Sequence, residues 1–408
     1  NKEEERKRII DWLSPINFFL RQADISQMQE KGTGGWLLKH PLFKKWEGGL
    51  GSTLWCRGIP GAGKTVLVSM VVNYLGTQFK GRDTGVACIY LNHKEVENQT
   101  PSRLLAGLWR QLVLDRDIGS IAEELYQQHQ EKGTAPSLEE VDNVLSSSFK
   151  MFSQVFIIVD AMDEYPEFQR EILLQKLAAM GSNVNLMITS RPNISLEPSS
   201  FRNLERLDIH AMEDDLRKYV DAQIVSSPRL RTHVMKQPGL QDEIHAKINT
   251  QTMAQINLPR FLLAKLHIQS LSTKNTIKAL REAMKELPKG LDDSYDITIQ
   301  RIDDQTEEDK KTARSTLIWV ANAKRPLNVS EITAALAIEP GDRRLDKDNV
   351  LDINIILSVC AGLVIVDKQS SVVRLVHYTT QEYLDKIQAE KFPDAQTEMT
   401  RTLLTVLA

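Results

Sequence analysis

The first half of the chain places short apolar runs between longer amphipathic segments, a pattern typical of a parallel sheet covered by helices. Four of these runs are β-prone and end in or are followed by polar residues, which predicts buried strands. They are Ser52–Arg57, Val86–Leu91, Val155–Asp160 and Asn185–Ser190. Thr65–Leu75 is apolar nearly all round, as expected of a helix buried beside such a sheet. We therefore predict an α/β core over residues 49–211.

The apolar pattern of the second half is helical from Met212 onward, with amphipathic helices beginning at Glu213 and covering Ile256–Leu271. Beyond Gly290 the pattern predicts a separate unit of helices and a hairpin. Its helices lie near Glu307–Asn322, Asn328–Ala337 and Val350–Leu363, its strands at Leu363–Asp367 and Val372–His377, and a capping box at Thr379–Glu382 opens a last helix. Three helices and a hairpin predict a winged helix.

The turn after the first predicted strand carries the best-defined chemistry. It matches the phosphate-binding pattern G-x-x-x-x-G-K-[ST], and it follows a strand and opens a helix as that motif requires. Its candidate phosphate contacts are Gly58, Ile59, Pro60, Gly61, Ala62, Gly63, Lys64, Thr65 and the following Val66. The backbone curls around the β-phosphate, Lys64 reaches the β- and γ-phosphates, and the Thr65 hydroxyl can ligate Mg²⁺. A nucleoside triphosphate with Mg²⁺ is the expected ligand.

The strand that ends at Asp160 leads into two further carboxylates, Asp163 and Glu164. Ligands of open α/β sheets bind beyond the carboxyl ends of the strands, so Asp160 is a candidate Mg²⁺ ligand. Asp163 or Glu164 can polarise the attacking water, and we favour Glu164 with Asp163 as its partner. Arg191 follows the last predicted strand and could sense the γ-phosphate. The alternatives are a solvated acidic turn and a solvated loop arginine.

Length, charge and cysteine content limit the classes of protein to which this chain can belong. The chain has 408 residues, which suits two to four domains, and its net charge of −3 gives no overall field that would recruit nucleic acid. Cys56, Cys88 and Cys360 are few and far apart, as expected of buried thiols in a reducing compartment. No apolar run approaches the length of a membrane span, and the charged start has no signal-peptide core. We expect a cytoplasmic protein without a membrane partner.

The motifs CRGIPGAGKT, VFIIVDAMDE and LMITSRP, with the upstream KGTGGWLL, together resemble the NACHT class of signal-transducing P-loop NTPases of the STAND group. They are especially similar to the nephrocystin-like modules of fungal NOD-like receptors, which act in innate immunity. The small residue and paired acids after Asp160 distinguish this class. The resemblance implies an AAA+/STAND-type α/β P-loop NTPase core with a parallel sheet, followed by a helical domain and a winged-helix domain.

The resemblance also implies a division of the chain. We predict an N-terminal helical lead-in (1–48), the NACHT domain (49–211), a helical domain (212–303) and a winged-helix domain (304–408). The lead-in is amphipathic over about 5–30, and the insertion Gln99–Phe149 is helical, with Thr100-Pro101 as a helix start. Because the chain lacks an initiator Met and ends within an apparent helix, we expect effector and repeat sensor domains to be missing.

Relatives of this class imply nucleotide contacts outside the phosphate loop. Gly32, Thr33 and Gly34 would lie beside the base, although a flexible hinge explains them as well. Pro259 would pack on the adenine; Asn-Leu-Pro stands here in place of the usual Gly-x-Pro, and a helix-start proline is the alternative. His377 would close onto the β-phosphate of ADP, and the alternative is a core histidine.

The implied function is a switch that ADP holds closed and that opens and self-associates when ATP replaces ADP. Hydrolysis should be slow because no arginine beyond Arg191 is evident in a finger position. ATP is favoured over GTP, since Asn92–Glu95 is a poor match to the guanine motif. The rivals are an ATPase that loads or remodels nucleic-acid complexes, which needs a basic face, and a P-loop kinase, which needs an acceptor lid. The third winged-helix helix lacks Lys and Arg, so we expect no nucleic-acid partner.

Overall fold

A computed structural model of the chain describes residues 2–194, 200–253, 260–338 and 345–407. They form two units: residues up to Ile59 together with Gly63–His210, and Pro60–Ala62 together with the residues from Ala211 onward. Among the described residues, no helix is both long enough and apolar enough to cross a membrane.

The first unit is built on a parallel sheet of five strands in the order β2-β3-β4-β1-β5. The strands are β1 (Thr53–Arg57), β2 (Thr84–Tyr90), β3 (Gln154–Asp160), β4 (Val184–Ser190) and β5 (Leu204–Asp208). The four predicted strands are confirmed to within two residues at each end. The sequence did not predict β5, because this edge strand buries only Leu207 and carries charged residues between its apolar ones.

The described residues of the first unit also form nine α-helices. They are α1 (Lys2–Leu13), α2 (Phe18–Gln27), α3 (Gly35–Lys39), α4 (Pro41–Gly48), α5 (Lys64–Gln78), α6 (Pro101–Leu112), α7 (Ser120–Lys132), α8 (Leu138–Ser148) and α9 (Glu167–Ala178). The predicted helix start is confirmed, since the Thr100 hydroxyl accepts from the Arg103 N–H and Pro101 opens α6. The predicted helical lead-in is confirmed as α1 and α2. Gln22 of α2 donates to the Ser69 carbonyl of α5 at 3.0 Å, so the lead-in packs on the helix that follows the phosphate loop.

The second unit contains two apolar clusters. Its described helices are α10 (Glu213–Ser226), α11 (Pro228–Lys236), α12 (Gly239–Met253), α13 (Arg260–Ser272), α14 (Ile277–Lys285), α15 (Leu291–Asp303), α16 (Glu307–Asn322), α17 (Val329–Ala337), α18 (Ile353–Val359), α19 (Tyr378–Lys391) and α20 (Ala395–Leu407). One cluster draws on α10 to α14, and the other on α15 to α20 with the small sheet and Leu266 of α13. The α/β core followed by helical and winged-helix segments is therefore confirmed.

The winged-helix segment differs from prediction in three details. The hairpin of β7 (Val364–Asp367) and β8 (Val372–Leu375) is joined by a short third strand, β6 (Leu327–Asn328), in the antiparallel order β6-β8-β7. The helix α18 is shorter than the predicted Val350–Leu363. The predicted capping box was wrong, because α19 begins one residue after His377 and the His377 side chain caps it.

Candidate nucleotide-binding site

The phosphate loop joins β1 to α5 in a backbone conformation that requires glycine. Gly61 and Gly63 have φ angles of 69° and 91°, and Gly63 is the N-cap of α5. A Cβ atom on Gly58 would lie 2.8 Å from the Ile209 carbonyl oxygen. The first N–H groups of a helix have no intrahelical partner and carry the positive end of its dipole. The loop therefore leads into a helix end that suits a phosphate.

The Lys64 side chain folds back onto this loop. Its ammonium donates to the Gly58 carbonyl at 2.6 Å and to the Ile59 carbonyl at 3.0 Å. Burial lowers the pKa of Lys64, while the nearby carboxylates of Asp163 and Asp160 oppose that shift. The positive charge is thus held at the acidic end of the sheet, where phosphate oxygens could replace the two carbonyl acceptors.

Asp160 ends β3 and Thr65 lies in the first turn of α5, and the two come close even though β4 lies between β3 and β1, the strand that leads into α5. The Asp160 side chain is buried and accepts from the Thr189 hydroxyl at 2.6 Å, and the Thr65 hydroxyl lies near enough to stabilise its charged form. Burial raises the pKa of Asp160, and the two hydroxyl donors oppose that rise. Within the described ranges, no group of three or more His, Cys, Asp or Glu side chains could hold a metal ion. The Thr65 and Asp160 oxygens fit Mg²⁺ completed by phosphate and water oxygens.

The acidic turn is shaped by Ala161, which adopts the left-handed conformation with a φ of 59°. Its N–H donates to the Thr189 hydroxyl at 3.0 Å, and its carbonyl accepts from the Glu164 N–H at 2.8 Å. A small side chain lowers the steric cost of this conformation, which a β-branched residue would raise. The turn places Asp163 and Glu164 beyond the end of β3.

Asp163 faces Arg191 at the end of the neighbouring strand β4. Its two carboxylate oxygens accept from the Arg191 backbone N–H at 3.0 Å and from Nε at 2.9 Å. Only 9% of the Asp163 side chain is exposed. Burial raises the pKa of Asp163, with the Lys64 charge as the main opposing influence. Asp163 thus aligns Arg191, a role that the sequence did not predict.

Glu164 has a different neighbour. Its Oε2 lies 3.4 Å from Nδ1 of His93, in the loop after β2. The Glu164 side chain is 23% exposed, compared with 9% for Asp163, so it is the better placed of the two to meet water. Sequence reasoning missed His93; the available signal was its position just beyond a predicted strand, where the acids and Arg191 also lie.

The segment Gly32–Gly34 lies against α5. Both glycines have a φ of 79°, and a Cβ atom on Gly34 would lie 2.8 Å from side-chain atoms of Leu67 and Met70. The Thr33 hydroxyl donates to the Glu30 carbonyl at 2.8 Å. The segment is therefore packed on the helix that follows the phosphate loop, and its contact with a base stays a prediction.

The two remaining predicted contacts belong to the second unit. Pro259 lies outside the described residues. His377 caps α19, with Nδ1 accepting from the Thr379 N–H at 3.2 Å and lying 2.9 Å from the Thr379 hydroxyl oxygen. That hydroxyl lies 2.9 Å from the oxygen of the buried Tyr295. His377 therefore has a structural role in its own unit, and its role toward a nucleotide stays a prediction.

Comparison with family models agrees with this geometry. The model described as "Nephrocystin 3, N-terminal" matches residues 32–191, which hold the phosphate loop, the acidic turn and Arg191. The chain carries a NACHT-type P-loop NTPase module. The model described as "GPI inositol-deacylase, winged helix domain" matches residues 300–392, which include β6 to β8 and His377. The resemblance stated from the sequence is confirmed for both segments.

One curated relative matches most of the chain at low identity. Vegetative incompatibility protein HET-E-1 of Podospora anserina is 22% identical over 372 residues, a match that covers 86% of this chain and 26% of the relative. The chain thus spans about a quarter of that relative's length.

Two solved structures also match. The Orc1 protein of Aeropyrum pernix in complex with DNA has a TM-score of 0.36 and 16% identity, covering 92% of this chain and 94% of that one. A RuvB mutant of Thermotoga maritima has a TM-score of 0.29 and 13% identity, covering 86% and 92%.

Proposed function

We propose that this chain is the nucleotide-operated switch of a NOD-like receptor. ADP holds it closed, exchange for ATP opens it for self-association, and Mg²⁺-dependent hydrolysis of ATP to ADP resets it slowly. The observation that supports this most is the proximity of Thr65 to Asp160, beside the half-buried ammonium of Lys64. A hydroxyl, a carboxylate and an ammonium in that arrangement match what a nucleoside triphosphate and its metal require.

In this proposal the phosphate loop binds the nucleotide through its backbone and Lys64. The Lys64 ammonium exchanges its two carbonyl acceptors for β- and γ-phosphate oxygens, which form stronger, charge-assisted hydrogen bonds. Thr65 and Asp160 would hold Mg²⁺, which neutralises phosphate charge when bound. Asp160 would then face the ion or a water bound to it, in place of the Thr189 hydroxyl. We propose that the Gly32–Gly34 segment borders the base, and the contact of Pro259 with the base stays a prediction.

Hydrolysis requires a group that takes a proton from water, and we assign that role to Glu164. Its carboxylate is more exposed than that of Asp163, and the two oxygens of Asp163 already accept from Arg191. Arg191, aligned by Asp163, would contact the γ-phosphate and report its presence. A single arginine aligned by an acid is a modest catalytic device, which supports slow and regulatory turnover.

The cap on α19 supports a phosphate contact for His377. Since Nδ1 accepts from the Thr379 N–H, it carries no proton, so in the neutral ring the proton sits on Nε2. An Nε2–H group is a donor suited to a phosphate oxygen. We propose that it donates to the β-phosphate of ADP, so that loss of this contact accompanies opening.

The cellular setting is proposed from the relative. HET-E-1 is named a vegetative incompatibility protein, which supports a cytoplasmic signalling role in innate immunity with effector and sensor domains supplied elsewhere. The alternative, an ATPase that remodels nucleic-acid complexes, gains no support from α18, whose sequence INIILSV has no Lys or Arg.

The test is to identify the nucleotide that the purified chain retains, by denaturation and chromatography, and to measure its mass in solution with ADP and with ATP. We expect retained ADP and a monomer, and a larger species once ATP with Mg²⁺ replaces it. A chain that binds neither nucleotide, or whose mass is the same with both, would overturn the switch.

A further inference from the structure

The loop after β2 contacts the acidic turn at two separate points. At the first, Nδ1 of His93 lies 3.4 Å from Oε2 of Glu164, and the two side chains are 32% and 23% exposed. This distance is at the long end for a hydrogen bond, as is usual for catalytic groups before substrate binds. A partly buried imidazole beside a carboxylate restricts the directions in which that carboxylate can turn.

At the second point, the Tyr165 hydroxyl donates to the Gln99 carbonyl oxygen. Tyr165 follows Glu164 directly and is only 1% exposed. Gln99 is buried as well, and its side-chain amide donates to the Tyr90 carbonyl and accepts from the Asn92 N–H, each at 3.0 Å. Asn92, which precedes His93, and Tyr165, which follows Glu164, are therefore both held by Gln99. These hydrogen bonds fix the distance between His93 and Glu164.

The two carboxylates of the turn thus have different partners from different strand ends. Asp163 is held by Arg191 after β4, and Glu164 is approached by His93 after β2. From this we propose that His93 is a positioning residue that orients the Glu164 carboxylate toward the attacking water. The inference rests on the proposed function, because it assumes that Glu164 is the base.

The experiment measures ATP turnover with Mg²⁺, and the affinity for a fluorescent ADP analogue, in the full chain and three variants. His93→Phe keeps the ring and removes its nitrogens, whereas His93→Gln retains an N–H donor. We expect His93→Phe to lower turnover about tenfold, since misorientation of a base costs part of the hundredfold or more that the base contributes. Nucleotide affinity and melting temperature should stay within error, and His93→Gln should recover part of the turnover.

A matched control lies in the same unit. His129 is 3.3 Å from Glu140 in a similar pair between α7 and α8, so His129→Phe should leave turnover at the parent value. Equal turnover in His93→Phe and the parent would overturn the inference. So would equal losses of turnover and affinity, which would mean that His93 serves binding.

A Glu164→Gln arm separates failure of the inference from failure of the proposed function. If Glu164→Gln is inactive and His93→Phe is fully active, only the positioning role is lost. If Glu164→Gln still hydrolyses ATP, or the parent never does, the proposed base fails and the inference with it. In the double variant, His93→Phe should add no further loss to Glu164→Gln, because the orientation of an absent carboxylate has no effect.

Discussion

The carboxyl ends of β3 and β4 and the hairpin of β7 and β8 both bury charged groups, but they arrange them differently. In the hairpin, Asp367 and Arg374 form a two-point ion pair at 2.8 and 2.9 Å, so each charge is matched by the other. At the ends of β3 and β4, Asp160, Asp163 and Lys64 lie together, and burial shifts each of their pKa values toward the neutral form. Buried charges that form an ion pair are typical of a structural contact. Several buried titratable groups whose pKa values are all shifted toward the neutral form are typical of a ligand-binding site.

The acidic turn shows the same distinction on a smaller scale. Asp163 resembles the hairpin acid, because both of its oxygens accept from Arg191. Glu164, one residue later, is more exposed and has a single histidine nearby. Adjacent carboxylates of one turn thus have different partners and different exposure, which suits the proposed division between aligning Arg191 and accepting a proton.

The sharpest test of this division is Glu164→Gln. Removing a general base should lower ATP turnover about 10²–10⁴-fold while ATP affinity is retained, since an amide cannot accept the proton of water. Asp163→Asn should have a smaller effect on turnover, because an amide oxygen can still accept one Arg191 N–H. Single-turnover assays with radiolabelled ATP would measure both. Full activity in both variants would contradict hydrolysis at this turn.

Lys64→Ala should weaken ATP and ADP binding by about ten- to a hundredfold, because a hydrogen bond from a charged group to phosphate contributes about 1.5–3 kcal/mol. Titration with a fluorescent nucleotide would measure the loss. Lys45→Ala is the matched control, since that side chain is 69% exposed and pairs with Glu205 at the surface. Unchanged affinity in Lys64→Ala would remove the phosphate-loop assignment.

Variants of His377 test whether this residue only caps α19 or also contacts the nucleotide. His377→Asn retains an N-cap acceptor for α19 but loses the imidazole, whereas His377→Ala loses both. If His377 contacts the diphosphate, both variants should lose much of the extra melting temperature that ADP confers and release ADP about ten- to a hundredfold faster.

The opposite result is equally informative. A cap without a nucleotide contact would make His377→Ala about 1 kcal/mol less stable with or without ADP, and His377→Asn would restore that stability. An intact ADP-induced melting shift in both variants would leave the closed state without this contact.

Lys265 differs from the Asp367–Arg374 pair, because the charge that affects it is the like charge of Arg374. Burial, with the Arg374 charge, lowers the pKa of Lys265 from 10.5 to about 8. The folded chain therefore sheds this proton before the unfolded chain does, so the free energy of unfolding should gain a contribution as pH rises from about 8 to 10.5. Lys265→Met removes the charge at similar length and should add about 1–2 kcal/mol of stability at pH 7.

Urea unfolding at neutral and alkaline pH would check this. Lys278→Met, at an exposed position of α14, is the control for a general loss of positive charge. A Lys265→Met variant with the parent's pH dependence would show that Lys265 is not the group responsible.

The sequence alone determined the local features that short spacing and periodicity encode. The phosphate loop, four strands of the sheet, the proline-opened helix α6 and the helices and hairpin of the winged helix follow from residues that are near neighbours along the chain. The phosphate loop can be predicted from sequence because its glycines and Lys64 lie within eight consecutive residues, Gly58–Thr65. The family resemblance then assigned these segments to a P-loop core, a helical domain and a winged-helix domain.

The tertiary structure decided which distant groups meet. Strand order places β4 between β1 and β3, and that order lets Thr189 donate to Asp160 and Arg191 pair with Asp163. The contact of His93 with Glu164 likewise joins the ends of two strands whose neighbourhood no periodicity encodes. Edge strand β5 and the His377 cap were missed for a related reason: burial of β5 and the start of α19 depend on neighbours in space, which a one-dimensional pattern does not contain.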